Sequence, residues 1–526
     1  MNVRPLASRR ILAINTASSV GTRVLQLTVL VWVNQYLLRH ISAGEYALLP
    51  LVMSLLIFGE LFRNIFAGAL GRFIVEADAR RDDAGVTRIV SSMLPALAGA
   101  AVFLGALTAL TVWQLDRVLA LEPDQLGNAR LMLSLLMAGL CLDLLTAPFT
   151  QGLYVRQRFV VLNAIELGCE ILRAAIVFSL LLGVYPSVVW LTVGSVAAGL
   201  VNIVLRVLLT RRWVPAIRWD RTQFCRQTAR RLLGFGAWTS VQGLTNLIAT
   251  SAPALILNRA ASPVDVASFH LGRLPDLQLR RVATAAATPL QPMLTSLQAV
   301  RGEAALHELY YRGGRYHLWI ILLAAVPLVL FADAIILLYA GENYAMAAAV
   351  LVPLLAVYPL AWASAMFYRI AHAIGRIGAY YVCDLVVQGV TLLALLYAVV
   401  VRGLGAPGAA LAIAGTSGVL HVVLVWPMGL RLIRGRWSLF LRQTLLPGTV
   451  PAVAAAGACL LFRQAVPLDN WWRIGAGSLL AGLVYVAVLL AFCLAPPDRA
   501  LLARVLTRFR GRSSVPPASE LREAAP

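Results

Sequence analysis

Two stretches of this chain, 220 residues apart, carry the same pattern. Leu37–Ala47 has the sequence LLRHISAGEYA and Leu257–Ala267 has the sequence LNRAASPVDVA. An arginine, a serine, an acidic residue and an alanine recur in register, each time between two long apolar runs. An internal repeat of this length indicates a duplicated structural unit. The pattern therefore predicts two similar halves, each built from six apolar segments.

Apolar segments long enough to cross a membrane fill most of the chain. Its 526 residues are 60% hydrophobic and 13% charged, whereas a soluble domain is about 45–50% apolar and about 25% charged. A membrane-spanning helix needs about 20 mostly apolar residues. About fourteen segments satisfy that rule: 12–37, 46–70, 90–112, 130–150, 159–182, 187–208, 233–257, 265–292, 317–340, 346–371, 378–401, 408–430, 445–464 and 473–494. The sequence predicts an all-α polytopic membrane protein and excludes a soluble enzyme, a disordered chain and a nucleic-acid-binding module.

The basic residues predict how these segments are oriented. All 45 are arginines, and 32 of them fall on the side that holds the N-terminus, against seven on the opposite side. Cytoplasmic loops carry such an excess, so both termini are predicted to be cytoplasmic, in the cell inner membrane. Without the eighth segment, 265–292, every later loop would be inverted and the asymmetry would vanish. That segment is therefore predicted to cross despite its charges.

The repeat and the loops define the predicted domains. Residues 1–208 form an N-terminal lobe of helices one to six, and residues 233–430 form a C-terminal lobe of helices seven to twelve. The basic loop 209–232 joins them on the cytoplasmic side. Residues 431–498 hold helices thirteen and fourteen, and the arginine-, proline- and serine-rich tail 499–526 is predicted to be flexible.

The eighth segment carries the strongest functional signal. A charge at the centre of a membrane costs at least about 2.5–3.5 kcal/mol, so it usually faces a bundle interior or a watery cavity. At 100° per residue, Arg273, Asp276 and Arg280 share one helix face, and Arg281 lies about 80° from the first of them. Asp276 can pair with one arginine, which still leaves one or two cations unmatched next to Pro275. We interpret this stripe as an anion-binding surface, because a guanidinium remains charged and binds phosphate in a bidentate manner.

Three other segments hold charge within the membrane. Arg23 in segment one has no acid within a helical turn, which favours a role in binding. Glu60 and Arg63 in segment two either pair along one face or take part in binding. In segment five, Glu166 and Glu170 lie one turn apart and repel each other, so both are candidates for coupling transport to an ion, as is Glu60.

The remaining motifs argue against catalysis. Asp143 and other isolated charges near segment ends are interpreted as solvated or hydrogen-bonded. The stretch Gly403–Gly408 matches G-x-G-x-x-G, but no strand precedes it, so a tight turn is the better interpretation. No metal or cofactor motif is found, and the longest outer loop, 113–129, is too short for a catalytic domain. The chain is predicted not to be an enzyme and to need no cofactor or metal.

Several stretches resemble a known family of exporters. The resemblance is carried by Asn15–Tyr46, Phe235–Trp238, Leu255–Leu257, Thr288–Pro292 and Tyr339–Tyr344. They are similar to the lipid-linked oligosaccharide flippases of the multidrug/oligosaccharidyl-lipid/polysaccharide (MOP) exporter superfamily, in the Wzx-like polysaccharide branch that also includes the lipid II flippase.

The resemblance implies a fold and a substrate class. It implies two six-helix lobes around a central cationic cavity, which opens alternately to each side and carries an undecaprenyl-pyrophosphate-linked glycan outward. Cavity arginines are implied on helices one, two and eight, and Arg23, Arg63 and Arg273 lie on the matching helices. The appended helices resemble a groove for the lipid tail. Membrane lipids, and a glycan polymerase or ligase of the same pathway, are the implied partners.

Two alternatives remain open at the level of the sequence. A membrane-embedded glycan polymerase or ligase handles the same lipids, but that class generally has a large catalytic outer loop. A cation-coupled drug exporter of the same superfamily would depend on acids in helices one, seven or eight, where Asp276 alone qualifies. Drug-exporting relatives usually carry a carboxylate in helix one, and this chain has none there.

Overall fold

A computed structural model describes residues 31–67, 70–156, 158–287, 294, 304–374, 376–494 and 498–499. These residues are predominantly helical and contain no β-strand. Among them, nine helices are long and apolar enough to cross a membrane, or ten if the bent pair Met346–Trp362 and Met366–Ile374 forms one span. The all-α polytopic fold is confirmed, whereas the count of fourteen spans stays a prediction. Arg23 and the tail from residue 500 lie outside the described residues.

The helices before the basic loop follow a short helical stretch at residues 31–40. They are α1 (Ala43–Ala67), α2 (Leu70–Ala79), α3 (Asp83–Trp113), α4 (Leu115–Val118), α5 (Pro123–Thr146), α6 (Gly152–Val155), α7 (Phe159–Gly183) and α8 (Val189–Trp213). Two short 3-10 helices occur at Ala147–Thr150 and Arg221–Gln223.

The helices after the loop begin with the longest one, α9. They are α9 (Arg226–Ala260), α10 (Pro263–Ala287), α11 (Ala304–Leu330), α12 (Ala332–Ala340), α13 (Met346–Ala356), α14 (Tyr358–Trp362), α15 (Met366–Ile374), α16 (Ile377–Leu396), α17 (Gly405–Leu420), α18 (Trp426–Ile433), α19 (Trp437–Phe440), α20 (Leu446–Ala465) and α21 (Trp471–Val488). A 3-10 helix lies at Glu342–Tyr344, and π-helical turns lie at Tyr397–Val401, His421–Val425, Leu441–Leu445 and Leu489–Cys493.

The chain divides into two compact units. The first unit holds the described residues of Met1–Gln278, Ile335–Val357 and Ile377–Leu420, and the second unit holds those of Leu279–Ala334, Tyr358–Arg376 and His421–Pro526. The predicted lobes were drawn from the sequence repeat rather than from compactness, and their boundaries stay a prediction.

The repeat is visible in the helices themselves. α1 and α10 both contain 25 residues, and their first residues, Ala43 and Pro263, are separated by the same 220 positions as the repeat. Each helix is preceded by a serine whose hydroxyl accepts a hydrogen bond from the backbone N–H of an acidic residue three positions later. The Ser42–Glu45 and Ser262–Asp265 bonds are both 3.1 Å long. A serine followed by an acid at this spacing is an N-terminal capping pattern, so the same local chemistry starts both helices.

The two acids also join turns that are distant in sequence. Glu45 accepts hydrogen bonds from the hydroxyl of Ser187 at 2.7 Å and from the N–H of Val188 at 3.1 Å. Asp265 accepts one from the N–H of Ala406 at 2.8 Å. Each acid therefore holds the turn before its own helix against a turn much later in the same half. We name the part of the first unit that holds the turns at 40–42, 114–122, 184–188, 261–262, 341–345 and 402–404 the outer end, since the predicted orientation places it outside.

The outer end bears on the crossing of the eighth segment. α10 begins there, and the turn that follows α12 is also there, because the Arg39 side chain bonds to the carbonyl of Leu338. Helix α10 is not among the nine candidate spans of the described residues, so the crossing of the eighth segment stays a prediction.

The basic loop 209–232 belongs to the first unit and packs against its helices α2 and α3. Val214 and Ile217 are buried in the same hydrophobic cluster as residues of α2 and α3. The hydroxyl of Ser91 in α3 accepts a hydrogen bond from the N–H of Asp220 at 2.9 Å. The hydroxyl and N–H of Thr222 donate to the Asp220 carboxylate and hold its pKa below the ordinary value. The loop is thus anchored by apolar burial and by backbone hydrogen bonds.

The second unit ties the appended helices to α11. Arg315 and Arg312 donate to the carboxylate of Asp498, at 2.5 and 3.1 Å, and the Asp498 side chain is 3% exposed. One turn after Arg315 in α11, the carbonyl of Trp319 accepts a hydrogen bond from the hydroxyl of Tyr485 in α21 at 3.1 Å. Since a buried charge is costly unless it is paired, these bonds attach the end of the appended pair firmly to α11.

Candidate functional site

Helix α10 carries four of the predicted binding residues, and Arg273 lies in the part that belongs to the first unit. Its guanidinium donates to the carbonyl of Ala249 at 2.8 Å and to that of Thr250 at 3.4 Å, both in α9. Pro253 explains the first bond, because a proline has no N–H to donate to the carbonyl four residues earlier. Arg273 satisfies that carbonyl at a depth of about 15 Å from the start of α10, taking 1.5 Å per residue.

The other three residues lie in the next turns of α10. Asp276 is buried, with 3% of its surface exposed, and it follows Pro275 inside the helix. Arg280 belongs to the second unit, and its guanidinium carbon lies 5.7 Å from the centre of the Tyr358 ring. Arg281 is exposed. Guanidinium groups stack favourably on aromatic rings, so the contact with Tyr358 helps to orient the Arg280 side chain.

In helix α1 the predicted pair forms. The guanidinium of Arg63 contacts the carboxylate of Glu60 twice, through Nη2 at 2.6 Å and through Nε at 2.7 Å. The side chains are 40% and 39% exposed. The structure thus has the pairing arrangement, one of the two alternatives that the sequence left open for these residues.

Two further charges join this pair: Asp143, which the sequence placed among the isolated charges near segment ends, and Arg206, one of the arginines assigned to the cytoplasmic side. Asp143 in α5 interacts electrostatically with Arg63 and with Arg206 in α8. Arg206 also interacts with Glu166 of α7, and its side chain donates to the carbonyl of Thr150 at 3.1 Å. Both residues lie inside predicted apolar segments without an opposite charge nearby in sequence. The criterion that singled out Arg23 would have found them too.

In helix α7, Glu170 forms an ion pair with Arg173 one turn later. Glu166, the other candidate for ion coupling, is exposed. The three acids Glu60, Asp143 and Glu166 therefore share one electrostatic cluster in the first unit with Arg63 and Arg206; these five charges are described below as the first-unit cluster.

The first-unit cluster and α10 differ in charge. The cluster combines three acids with two arginines, so its charges nearly cancel. From Arg273 to Arg281, α10 combines three arginines with one acid. An excess of guanidinium groups within a span suits an anionic ligand, whereas a cluster of acids and arginines suits internal pairing or proton exchange.

The family of the chain follows from a sequence comparison. A family model described as polysaccharide biosynthesis protein matches residues 11–298, more than half of the chain. The chain belongs to the polysaccharide biosynthesis protein family. No curated protein matches this polysaccharide biosynthesis protein.

Solved structures of the MOP superfamily share its fold. The lipid II flippase MurJ, in an inward closed conformation, matches with a TM-score of 0.68 at 14% identity, over 94% of this chain and 100% of the flippase. A multidrug resistance MATE family transporter in an inward-facing conformation matches with a TM-score of 0.62 at 14% identity, over 80% and 99%. A MOP superfamily transporter from Pyrococcus furiosus matches with a TM-score of 0.57 at 16% identity, over 80% and 96%.

These comparisons confirm the resemblance drawn from the sequence. The polysaccharide biosynthesis protein has the MOP exporter fold and is a multi-pass membrane protein. Family and fold together support a lipid-linked glycan flippase or another MOP transporter, and they give no support to an enzyme.

Proposed function

We propose that this protein is a flippase that moves a polyprenyl-pyrophosphate-linked saccharide, such as a polysaccharide repeat unit, across the cell inner membrane by alternating access. The family match over residues 11–298 carries the proposal, since that family belongs to polysaccharide biosynthesis. The lipid II flippase also covers a larger share of this chain than the MATE transporter does, 94% against 80%.

We assign the phosphate groups of the substrate to α10. Arg280 and Arg281 offer two adjacent guanidinium groups, one stacked on Tyr358 and one exposed. Arg273 is oriented by the carbonyls of α9, and the buried Asp276 limits the excess of positive charge. The proposed binding set is Arg23, Arg63, Arg273, Asp276, Arg280 and Arg281.

We assign coupling to an ion, if transport is coupled, to acids of the first unit. Glu166 is the best placed, because it is exposed and shares the electrostatic environment of Arg206. Glu60 and Glu170 also belong to the proposed set, but each already forms an ion pair with an arginine one turn away.

Transport in reconstituted vesicles tests this proposal. The variants Arg280→Gln and Arg281→Gln are each expected to slow the movement of a polyprenyl-pyrophosphate-linked oligosaccharide about tenfold or more, since a hydrogen bond to a charged group contributes about 1.5–3 kcal/mol. Arg281→Lys should recover part of the rate because it keeps the charge. Arg473→Gln is the matched control, because Arg473 pairs with Asp469 at a helix start remote from α10 in sequence.

Two results would contradict the proposal in different ways. Equal rates for Arg280→Gln, Arg281→Gln and Arg473→Gln would remove α10 from the binding site. Wild-type protein that moves a cationic drug but no lipid-linked oligosaccharide would replace the flippase by a drug exporter.

A further inference from the structure

Two arginines at the outer end make the same contact in opposite halves of the repeat. Arg39 donates from Nη2 to the carbonyl of Leu338 at 2.9 Å. Arg259 donates from Nε to the carbonyl of Val118 at 3.1 Å. The two donors are 220 residues apart, and so are the two acceptors. Each arginine belongs to one half and each acceptor to the other half, so the pair of bonds is reciprocal.

Neighbouring residues reinforce both contacts. Asn258 binds Ala120 twice, accepting from its N–H at 2.8 Å and donating to its carbonyl at 2.9 Å. In the opposite direction, the hydroxyl of Tyr339 donates to the carbonyl of Val31 at 2.8 Å. The helical stretch 31–40 therefore binds α12 of the other half, and the end of α9 binds α4 and the turn at Ala120, mainly through backbone groups.

Bonds within each half at the outer end are of a different kind. Glu45 joins two turns of the first half, and Asp265 joins two turns of the second half, in each case through a carboxylate that accepts from a backbone N–H. These carboxylates are partly buried, whereas Arg39 and Arg259 are exposed. An exposed donor can exchange a carbonyl for water at low cost, but a partly buried carboxylate that loses its donor is penalised.

We propose that Arg39 and Arg259 are gating residues, which hold the outer end closed and release both carbonyls when that end opens. The acid bonds persist through the cycle and keep the turns of each half together. This proposal rests on the proposed alternating-access function, and it adds which bonds break in each cycle and which remain. Because the two bonds are related by the repeat and both join the two halves, a single movement of one half relative to the other breaks both of them.

A cavity at the outer end supplies a reporter for this opening. It has a volume of about 370 Å³ and is lined by Ala47, Gln125 and Asn258, among others. Ala47 is 2% exposed and follows the first capped turn of α1. A cysteine introduced there should react slowly with a hydrophilic reagent while the outer end is closed, and faster when it opens.

The experiment measures the labelling rate of Ala47→Cys by a small hydrophilic maleimide. The native cysteines are first replaced, and the protein is held in lipid nanodiscs, so that both faces are accessible and the result does not depend on the predicted orientation. Arg39→Ala and Arg259→Ala are each expected to raise the rate about threefold to tenfold, and the double variant is expected to raise it further, as for a shifted two-state equilibrium. Arg473→Ala, which removes an exposed arginine bound to Asp469, should leave the rate unchanged.

A second variant guards against loss of folding. Asn258→Ala removes the two bonds to Ala120 without changing the charge and should also raise the labelling rate. Wild-type rates in a folded Arg39→Ala/Arg259→Ala variant and in Asn258→Ala would overturn the proposal. The labelling assay contains no glycan, so it tests the gate separately from the substrate. Faster labelling of the variants, together with no glycan movement by the wild-type protein in vesicles, would support the gate and contradict the proposed substrate.

Discussion

Helices α1 and α10 occupy equivalent places in the two halves, and they differ in charge. Both contain 25 residues, and both begin after a capping serine whose hydroxyl accepts a hydrogen bond from the N–H of an acidic residue. At the repeat spacing of 220, Glu60 of α1 corresponds to Arg280 of α10. In α1 the acid pairs with an arginine one turn away, whereas in α10 the arginine lies over an aromatic ring.

The comparison shows which positions a duplication keeps alike for structural reasons. A capping serine and an acid are required wherever the same turn starts the same helix, so both halves share them. Positions deeper in the membrane are free to differ as long as each charge finds a partner or a ligand. The excess of arginine in α10 is therefore a better indicator of function than the shared residues at the outer end.

The largest expected effect concerns Arg273, which distinguishes α10 from α1. Arg273→Ala should lower the free energy of unfolding by about 1–3 kcal/mol, because the Ala249 carbonyl freed by Pro253 loses its charged donor. In a Pro253→Ala background the restored N–H can bond to Ala249, and the cost of Arg273→Ala should then fall. Thermal unfolding in detergent of the four proteins of this double-mutant cycle measures both effects.

The same cost of Arg273→Ala in both backgrounds would show that the bond to Ala249 is not what holds Arg273 in place. Arg63→Ala is a suitable comparison, because its partner is a side chain and its cost should not depend on residue 253.

An intermediate effect is expected for the pair in α1. Glu60→Gln or Arg63→Gln alone should cost up to about 1 kcal/mol, because each removes one partner of a partly exposed ion pair. The double variant should cost less than the sum of the two. Arg280→Gln should cost at least about 0.5–1 kcal/mol of stability, the usual contribution of a guanidinium–aromatic contact, and it should impair transport.

Melting temperatures of these four variants measure the contrast between the two helices. If the costs of Glu60→Gln and Arg63→Gln simply add, the ion pair in α1 contributes no interaction energy to stability. A severe loss of stability in Arg280→Gln would make that residue structural.

The smallest expected difference between the halves, and their closest comparison, concerns the caps. Ser42→Ala and Ser262→Ala should each lower the free energy of unfolding by about 1 kcal/mol, the usual cost of removing a capping hydroxyl. The two costs should agree within about 0.5 kcal/mol, because the Ser42–Glu45 and Ser262–Asp265 bonds have the same length. Chemical denaturation of both variants tests this, and clearly unequal costs would contradict equivalent caps in the two halves.

Much of the fold could be predicted because the signals are local or periodic. The offset of 220 predicted the matching of α1 and α10, and segment length predicted a helix wherever the structure describes segments two to fourteen. The pairing of Glu60 with Arg63 was also accessible, since residues three apart on a helix are neighbours. The sequence could not choose between that pairing and a role in binding, because both use the same helix face.

The contacts that were not predicted join residues distant in sequence. Asp143 and Arg206 belong to the first-unit cluster, but each was interpreted alone, as a residue at a segment end and as one of the cytoplasmic arginines. Arg39 and Arg259 are the arginines of the repeated pattern, but that pattern did not indicate what they bind. Their acceptors, Leu338 and Val118, are backbone carbonyls, which no side-chain pattern can reveal.

The sequence by itself determined the class of protein, the duplication and the helix that carries excess arginine. These follow from hydrophobic segment length, from a repeated pattern and from the cost of charge in a membrane, and all three depend on residues near one another in the chain. Only the tertiary structure decided which charges pair across helices and which carbonyls the arginines bind. Those partners depend on how helices pack, since helices brought together by packing can come from any part of the chain.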